Sequence, residues 1–277
     1  MEIGIFAKTF VRPTLSDTLD AVAAQGLGYV QFNLSCAGIA TMPDELDPAL
    51  ATSIASEMSA RRLEMSAVSG TFNMIDPDLA RRSDGLRRLG VLAASCRDLR
   101  TSVITLCTGS RDPENMWRRH ADNDSPEAWR DLVVSLSKAL EFAERHDVTL
   151  AFEPEVSNVV DSAVKGRRLL DEIASPRLKV IMDAANLFHS GELPRMREII
   201  AEAFDLLGGE VVLAHAKDLS RDGEAGHETA GHGVLDYNTY LAHLRSAGYD
   251  GALVLHGLPE EHVAEAVVFL RRKLAAP

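Results

Sequence analysis

The chain has 277 residues, 46% of them hydrophobic and 25% charged, and a formal net charge of -12. That length and balance suit one large buried core and exclude a disordered or fibrous chain. The negative surface repels a phosphate backbone, so a nucleic-acid partner is disfavoured, and no apolar run approaches a membrane span. The three cysteines, Cys36, Cys96 and Cys107, form an odd set without Cys-x-x-Cys spacing. Neither a disulfide framework nor a thiolate zinc site is suggested, and a reducing cytoplasm is the simplest setting. The start MEIGIFAKTF lacks the charged region, apolar stretch and cleavage site of a signal peptide, which fits a cytoplasmic protein.

Short apolar runs alternate with longer helical patterns along the whole chain, as βαβ units with a parallel sheet do. Strands are predicted at Glu2 to Phe6, Tyr29 to Phe32, Glu64 to Ser69 and Ser102 to Leu106. Four more are predicted at Thr149 to Phe152, Lys179 to Met182, Val211 to Ala214 and Ala252 to Leu255. VITL, VIM, VVLA and ALVL are nearly all apolar, as strands covered on both faces are. Between them, Leu79 to Leu99 and Ala128 to Arg145 repeat apolar residues every three or four positions over a charged face, the pattern of amphipathic helices. Helix starts are marked by Ser16-Asp17, Ser125-Pro126-Glu127 and Leu258-Pro259-Glu260-Glu261, and stops by Gly26, Gly208-Gly209 and Gly248. The arginine doublets at 61–62, 81–82 and 87–88 suit solvated helix faces.

Eight such units without a Pro-, Gly- or Ser-rich linker predict a single (β/α)8 barrel domain over residues 1–277. An open doubly wound sheet is the alternative, but Ala7-Lys8-Thr9-Phe10 is not the Gly-rich phosphate turn it would want. Three connections are longer than a plain barrel needs: Thr108 to Asp124, Leu219 to Asn238 and Asn33 to Pro48. All follow strands and are candidate lid and substrate loops, the first carrying Trp117.

A polar residue ending a barrel strand faces the mouth. The fifth strand ends in Glu153-Pro154-Glu155, the sixth in Asp183-Ala184-Ala185-Asn186, the seventh in His215-Ala216-Lys217-Asp218 and the eighth in His256-Gly257. Singly, each has a plain reading: Glu153 facing water, Asp183 capping a helix, His215 satisfied in the core. Together they form a mixed oxygen and nitrogen set in which a divalent cation relieves carboxylate repulsion. Manganese, zinc, cobalt and magnesium all suit such a set.

The strings LAFEPE, VIMDAANL, LAHAKDL and GYDGALVLHGL resemble strand ends of the sugar phosphate isomerase/epimerase family of xylose isomerase-like barrels. GTFNMIDPD at Gly70 to Asp78 and LCTGSRDPENMW at Leu106 to Trp117 extend the likeness over most of the chain. In such families a Glu, an Asp, a His and a second Glu hold one divalent metal, and the two glutamates exchange the substrate's proton. The resemblance implies Glu153, Asp183 and His215 as metal ligands, with Glu153 and Lys217 as catalytic groups. It implies Asn186, Arg221, Glu155 and Asn73 as substrate contacts.

The eighth strand departs from the pattern: His256 stands where the second glutamate would. Imidazole can serve as a fourth ligand, but a metal-bound imidazole is not a second base. Glu260 and Glu261 suit the start of the last helix. The expected activity is isomerisation or epimerisation of a sugar, sugar phosphate or related hydroxyketo compound through an enediolate. A dehydratase of the inosose type and a non-catalytic metal- or sugar-binding barrel are the alternatives, and an abasic-site endonuclease is disfavoured by the charge. Lys8, Arg12, Arg111 and Arg221 are the cations available for a phosphate. The partner expected is a small sugar or sugar phosphate, and a homodimer is compatible with the sequence.

Overall fold

The computed structural model describes residues 1–276. Its eight strands run parallel and close in sequence order, β1 pairing with β8 through Gly4 and Val254. They are β1 (Glu2–Phe6), β2 (Tyr29–Phe32), β3 (Glu64–Ser69), β4 (Val103–Leu106), β5 (Thr149–Phe152), β6 (Leu178–Met182), β7 (Val211–Ala216) and β8 (Ala252–Leu255). Outside lie α1 (Leu15–Ala24), α2 (Pro48–Ala60), α3 (Leu79–Leu99), α4 (Pro126–His146), α5 (Ala163–Ile173), α6 (Met196–Leu207), α7 (Tyr237–Ser246) and α8 (Val263–Ala275). This is the (β/α)8 barrel that the alternation predicts. Among the described residues, no helix is long and apolar enough to cross a membrane.

β7 runs past its predicted end because His215 and Ala216 still pair with Val254 and Leu255 of β8. The first helix starts earlier than Ser16-Asp17: the Thr14 hydroxyl accepts from the Asp17 amide at 3.1 Å and donates to its carboxylate at 2.6 Å. This reciprocal cap outcompetes a serine within the first turn. Arg82, predicted on a solvated face, is instead buried against Asp131 at 2.8 Å.

Alternate strand residues divide between two apolar regions, as the two-residue period demands. Ala67, Ala151, Ile181, Leu213, Ala252 and Val254 fill the barrel interior, against Phe6, Tyr29 and Val103. Their neighbours, among them Phe32, Leu106, Phe152, Met182 and Leu255, join the larger core under the helices. The interior is therefore plugged, and ligand space remains only above the plug at the C-terminal mouth.

The loop after β7 is tied to the barrel by Asp218, which is buried. Its Oδ1 accepts from the amides of Leu219 at 2.9 Å and Leu235 at 2.8 Å, and its Oδ2 accepts from Gly231 at 3.0 Å. A two-way backbone bridge to Glu228 adds to this clamp. Replacing Asp218 by Ala strands the Leu219 and Leu235 amides in the protein interior, where each unmet donor costs about 1–3 kcal/mol. Asp218→Ala is thus expected to lower the melting temperature and to open residues 219–235 to protease, read by thermal unfolding and limited proteolysis.

Candidate active site

A cavity of about 430 Å³ opens at the barrel mouth, within the range of small-molecule sites. Its floor continues the inward rows of the strands: Ala151 is followed by Glu153 and Glu155, Leu213 by His215 and Lys217, and Val254 by His256. All three long loops reach it, through Thr41, through Met116 and Trp117, and through Ala225.

Glu153, Asp183 and His215 each bring a ligand atom within 4.8 Å of the others. His215 Nδ1 lies 3.2 Å from Glu153 Oε1 and 3.9 Å from Asp183 Oδ2. Its Nε2 is 2.8 Å from Gln31 Oε1, an oxygen that only accepts, so Nε2 carries the proton. When Nδ1 gives up its proton in favour of a metal, its lone pair is aimed between two carboxylates, an arrangement that a cation there satisfies. Asp183 Oδ1 accepts from the Ala185 amide at 3.0 Å, whereas its buried Oδ2 has no hydrogen bond of good geometry although Lys217 Nζ is 3.1 Å away. An orphaned carboxylate oxygen beside an oxygen and an imidazole nitrogen fits a divalent metal such as zinc or manganese.

The charges are strongly coupled. Burial alone would raise Glu153, but His215 in its protonated, metal-free form and the Lys217 ammonium outweigh it and hold the carboxylate well below its ordinary range. Asp183 is pushed upward by burial and by the charge of Glu153, against the pull of Lys217. Burial would strip the Lys217 proton, yet Asp183 and Glu153 more than restore it, so the ammonium is retained. Burial, with Glu153 and Asp183 adding to it, lifts Glu155 to about 7.

Asn186 stands behind Glu153. Its Nδ2 donates to Glu153 Oε1 at 2.7 Å while its Oδ1 accepts from the Gly226 amide at 2.7 Å, linking the carboxylate to the loop after β7. Two tyrosines of α7 brace the same strands from outside. Tyr240 donates to the carbonyls of Met182 at 2.9 Å and His215 at 3.0 Å, and Tyr237 to that of Lys217 at 2.7 Å.

Two expected site residues lie away from the cavity, and a third, His256, lines its floor without joining the ligand set. His256 does not converge with the ligand atoms: its ring stacks on His215 at 4.6 Å and 13°, and on Phe6 at 4.9 Å and 16°. A ring lying face to face with His215 does not aim a nitrogen at the point His215 faces. Burial, with His215 and Lys217 close by, keeps His256 neutral, and its Nδ1 has no partner. Asn73 is buried away from the cavity, where it donates to the Ser110 carbonyl at 2.7 Å and accepts from the Ser110 amide at 3.1 Å. Arg221 is exposed and paired with Glu224.

Other cavity residues are not singled out by the strand-end reading. Gln31, Asn33, Ser69, Thr71, Thr105 and Cys107 line the side built by β2 to β4. Asn158 joins the halves, its Oδ1 accepting from the Gly109 amide at 2.8 Å and its Nδ2 donating to Glu155 at 3.3 Å. The signal for most of them is the alternation itself: Gln31, Ser69 and Thr105 are polar interruptions on inward positions of apolar strands.

A family of known proteins, described as xylose isomerase-like TIM barrel, matches residues 19–273. The chain belongs to this family. Among solved structures, this xylose isomerase-like barrel resembles 3-keto-D-glucoside 4-epimerase YcjR from E. coli, with 17% identity over 98% of this chain and 99% of that chain and a TM-score of 0.75. It also resembles the IOLI protein with a binding zinc atom, with 14% identity over 99% of this chain and 96% of that chain and a TM-score of 0.73. The probable 3-DHS dehydratase AsbF from Bacillus anthracis shares 14% identity over 98% of this chain and 99% of that chain, with a TM-score of 0.73. Identities this low speak for the fold alone. No curated protein matches the chain in sequence.

Glu155 gives the site a pH signature. Its carboxyl loses its proton near 4.5 in the unfolded chain and near 7 in the fold. Below pH 4.5 both states are protonated and nothing is lost; as pH rises from 4.5 to 7 the unfolded chain gives up this proton while the fold keeps it, so stability falls by on the order of 3 kcal/mol and stays at that lower level above 7. Glu155→Gln is therefore expected to raise the melting temperature of metal-free protein at pH 8 and to change it little at pH 4, as measured by calorimetry.

Proposed function

We propose that the protein is a divalent-metal-dependent isomerase or epimerase of a sugar or related hydroxyketo compound. The observation that carries this reading is the convergence of Glu153, Asp183 and His215 beside the Lys217 ammonium on the floor of the cavity. Sugar epimerases among the proteins of similar structure support it. Glu153, Asp183 and His215 would hold the ion, be it manganese, zinc, cobalt or magnesium. When bound it would supply Lewis-acid stabilisation of the enediolate's charge.

The chain's own groups perform the proton transfer. Glu153, kept ionised by the Lys217 ammonium and oriented by Asn186, removes the proton next to the substrate carbonyl. The Lys217 ammonium stabilises negative charge developing on oxygen. The proton held by Glu153 then passes to the former carbonyl carbon while the neighbouring hydroxyl's proton moves to the former carbonyl oxygen, which completes an isomerisation along one face. An epimerisation instead needs a proton delivered to the opposite face of the same carbon, with Lys217 as its donor. Glu155 and Asn186 would position substrate and base, and Asn158 holds Glu155 in place.

The position of His256 favours a second reading. With a stacked, neutral ring in place of the family's second glutamate, no carboxylate from β8 faces Glu153 across the substrate. A site with a single carboxylate base also suits a dehydratase, in which loss of the proton is followed by loss of a β-hydroxyl as water. Product analysis separates the two.

Glu153→Gln is expected to slow proton–deuterium exchange on substrate at least about 100-fold, the usual contribution of a positioned base. NMR of aldoses, ketoses and cyclic ketopolyols in deuterated buffer reads both the exchange and the product. Undiminished exchange in this variant contradicts the role of Glu153.

A further inference from the structure

We propose that the substrate of this site is unphosphorylated, a neutral polyhydroxy carbonyl compound whose unreactive tail lies against β2, β3 and β4. The proposal rests on the reading of the site as a sugar isomerase or epimerase and narrows its substrate class.

The cavity is chemically divided. Its β5 to β7 side carries the carboxylates and Lys217, whereas its β2 to β4 side presents Gln31, Asn33, Ser69, Thr71 and Thr105, all uncharged. Amides and hydroxyls both donate and accept, which complements sugar hydroxyls and puts no counter-charge for a phosphate dianion on that side. Asn33 spends only its oxygen internally, on the Ser35 amide at 3.0 Å and the Thr41 hydroxyl at 2.9 Å, so its Nδ2 remains available.

The cations that might have served a phosphate are engaged. Arg12 forks onto Glu260 at 2.8 and 2.5 Å, Arg111 holds Asp131 and the Ile75 carbonyl, and Arg221 is paired with Glu224. Lys217 is committed to Asp183 and Glu153. Only Lys8 lines the cavity without an ion pair among the described residues, and it is exposed.

Barrels that bind phosphate often do so beside the last two strands, at the start of a short extra helix. Here the matching short helix is Glu260–His262, whose first two residues are acidic and whose Glu260 is occupied by Arg12. A dianion placed there meets carboxylates at the helix end that should attract it. The neighbouring helix after β7 is closed by Asp236, which accepts from the Thr239 amide at 3.1 Å.

Trp117 on the cavity wall makes binding readable without turnover, because the second tryptophan, Trp129, is buried on α4. The experiment titrates metal-loaded protein with free ketopentoses and ketohexoses, with their terminal phosphate esters and with inorganic phosphate, following Trp117 emission with Trp117→Phe as the blank. Free sugars are expected to bind at least about tenfold more tightly than their esters, and inorganic phosphate not to compete. In Thr71→Arg, which adds a guanidinium to the neutral side, the esters should gain about tenfold in affinity relative to the parent sugars. Tighter binding of the esters, or competition by inorganic phosphate, overturns the proposal. If those esters also undergo Glu153-dependent exchange, the isomerase reading stands without it. Absence of both binding and exchange with every sugar overturns the two together.

Discussion

Every strand of a closed parallel barrel must turn alternate side chains inward, and this two-residue period governs the molecule. Apolar residues plug the interior from Ala67 to Val254, so the next inward residues form the floor of the only space left above them. Glu153, Asp183 and His215 meet because each stands on the inward row immediately above the plug, with Lys217 one inward step further along β7's row. Backbone register, reinforced by the tyrosine hydroxyls of α7 on the carbonyls of Met182, His215 and Lys217, sets their spacing.

That spacing creates an electrostatic demand. Two buried carboxylates, Glu155 and Asp183, and the half-buried Glu153 share one buried ammonium, Lys217. The chain meets part of the demand by protonation, which is why Glu155 rises to about 7, and part through Asn186 and Asn158. The remainder is a lone pair on His215 Nδ1, oriented by Gln31, and an unsatisfied oxygen on Asp183. A divalent ion is the species whose charge and geometry answer both. The stack of Phe6, His256 and His215 fixes the imidazole plane from the opposite side, so the residue that departs from the family pattern supports a ligand.

The fold was legible from the sequence because strand periodicity and helix periodicity are local signals. β3 and α3 fall on their predicted residues, and the errors at β7 and α1 arise from neighbouring-strand pairing and a reciprocal cap. The charged half of the site was legible too, since Glu153, Asp183 and His215 each terminate an apolar run. The neutral half was not: Gln31, Ser69 and Thr105 lie within strands, where a polar residue reads as an interruption until barrel closure turns it toward the ligand space. Asn73 and Arg221 depended on likeness in loops, where side chains answer to local partners such as Ser110 and Glu224. The orientation of His256 depends on ring stacking with Phe6 and His215, a tertiary contact that strand position alone does not reveal.

The central claim is that Glu153, Asp183 and His215 together hold a divalent ion, and calorimetric titration of metal-stripped protein with manganese and with zinc tests it most directly. The account predicts one ion per chain, with affinity falling at least about tenfold in Asp183→Asn and in His215→Ala. Failure of the folded wild-type protein to bind either ion, or equal affinity in both variants, would contradict it.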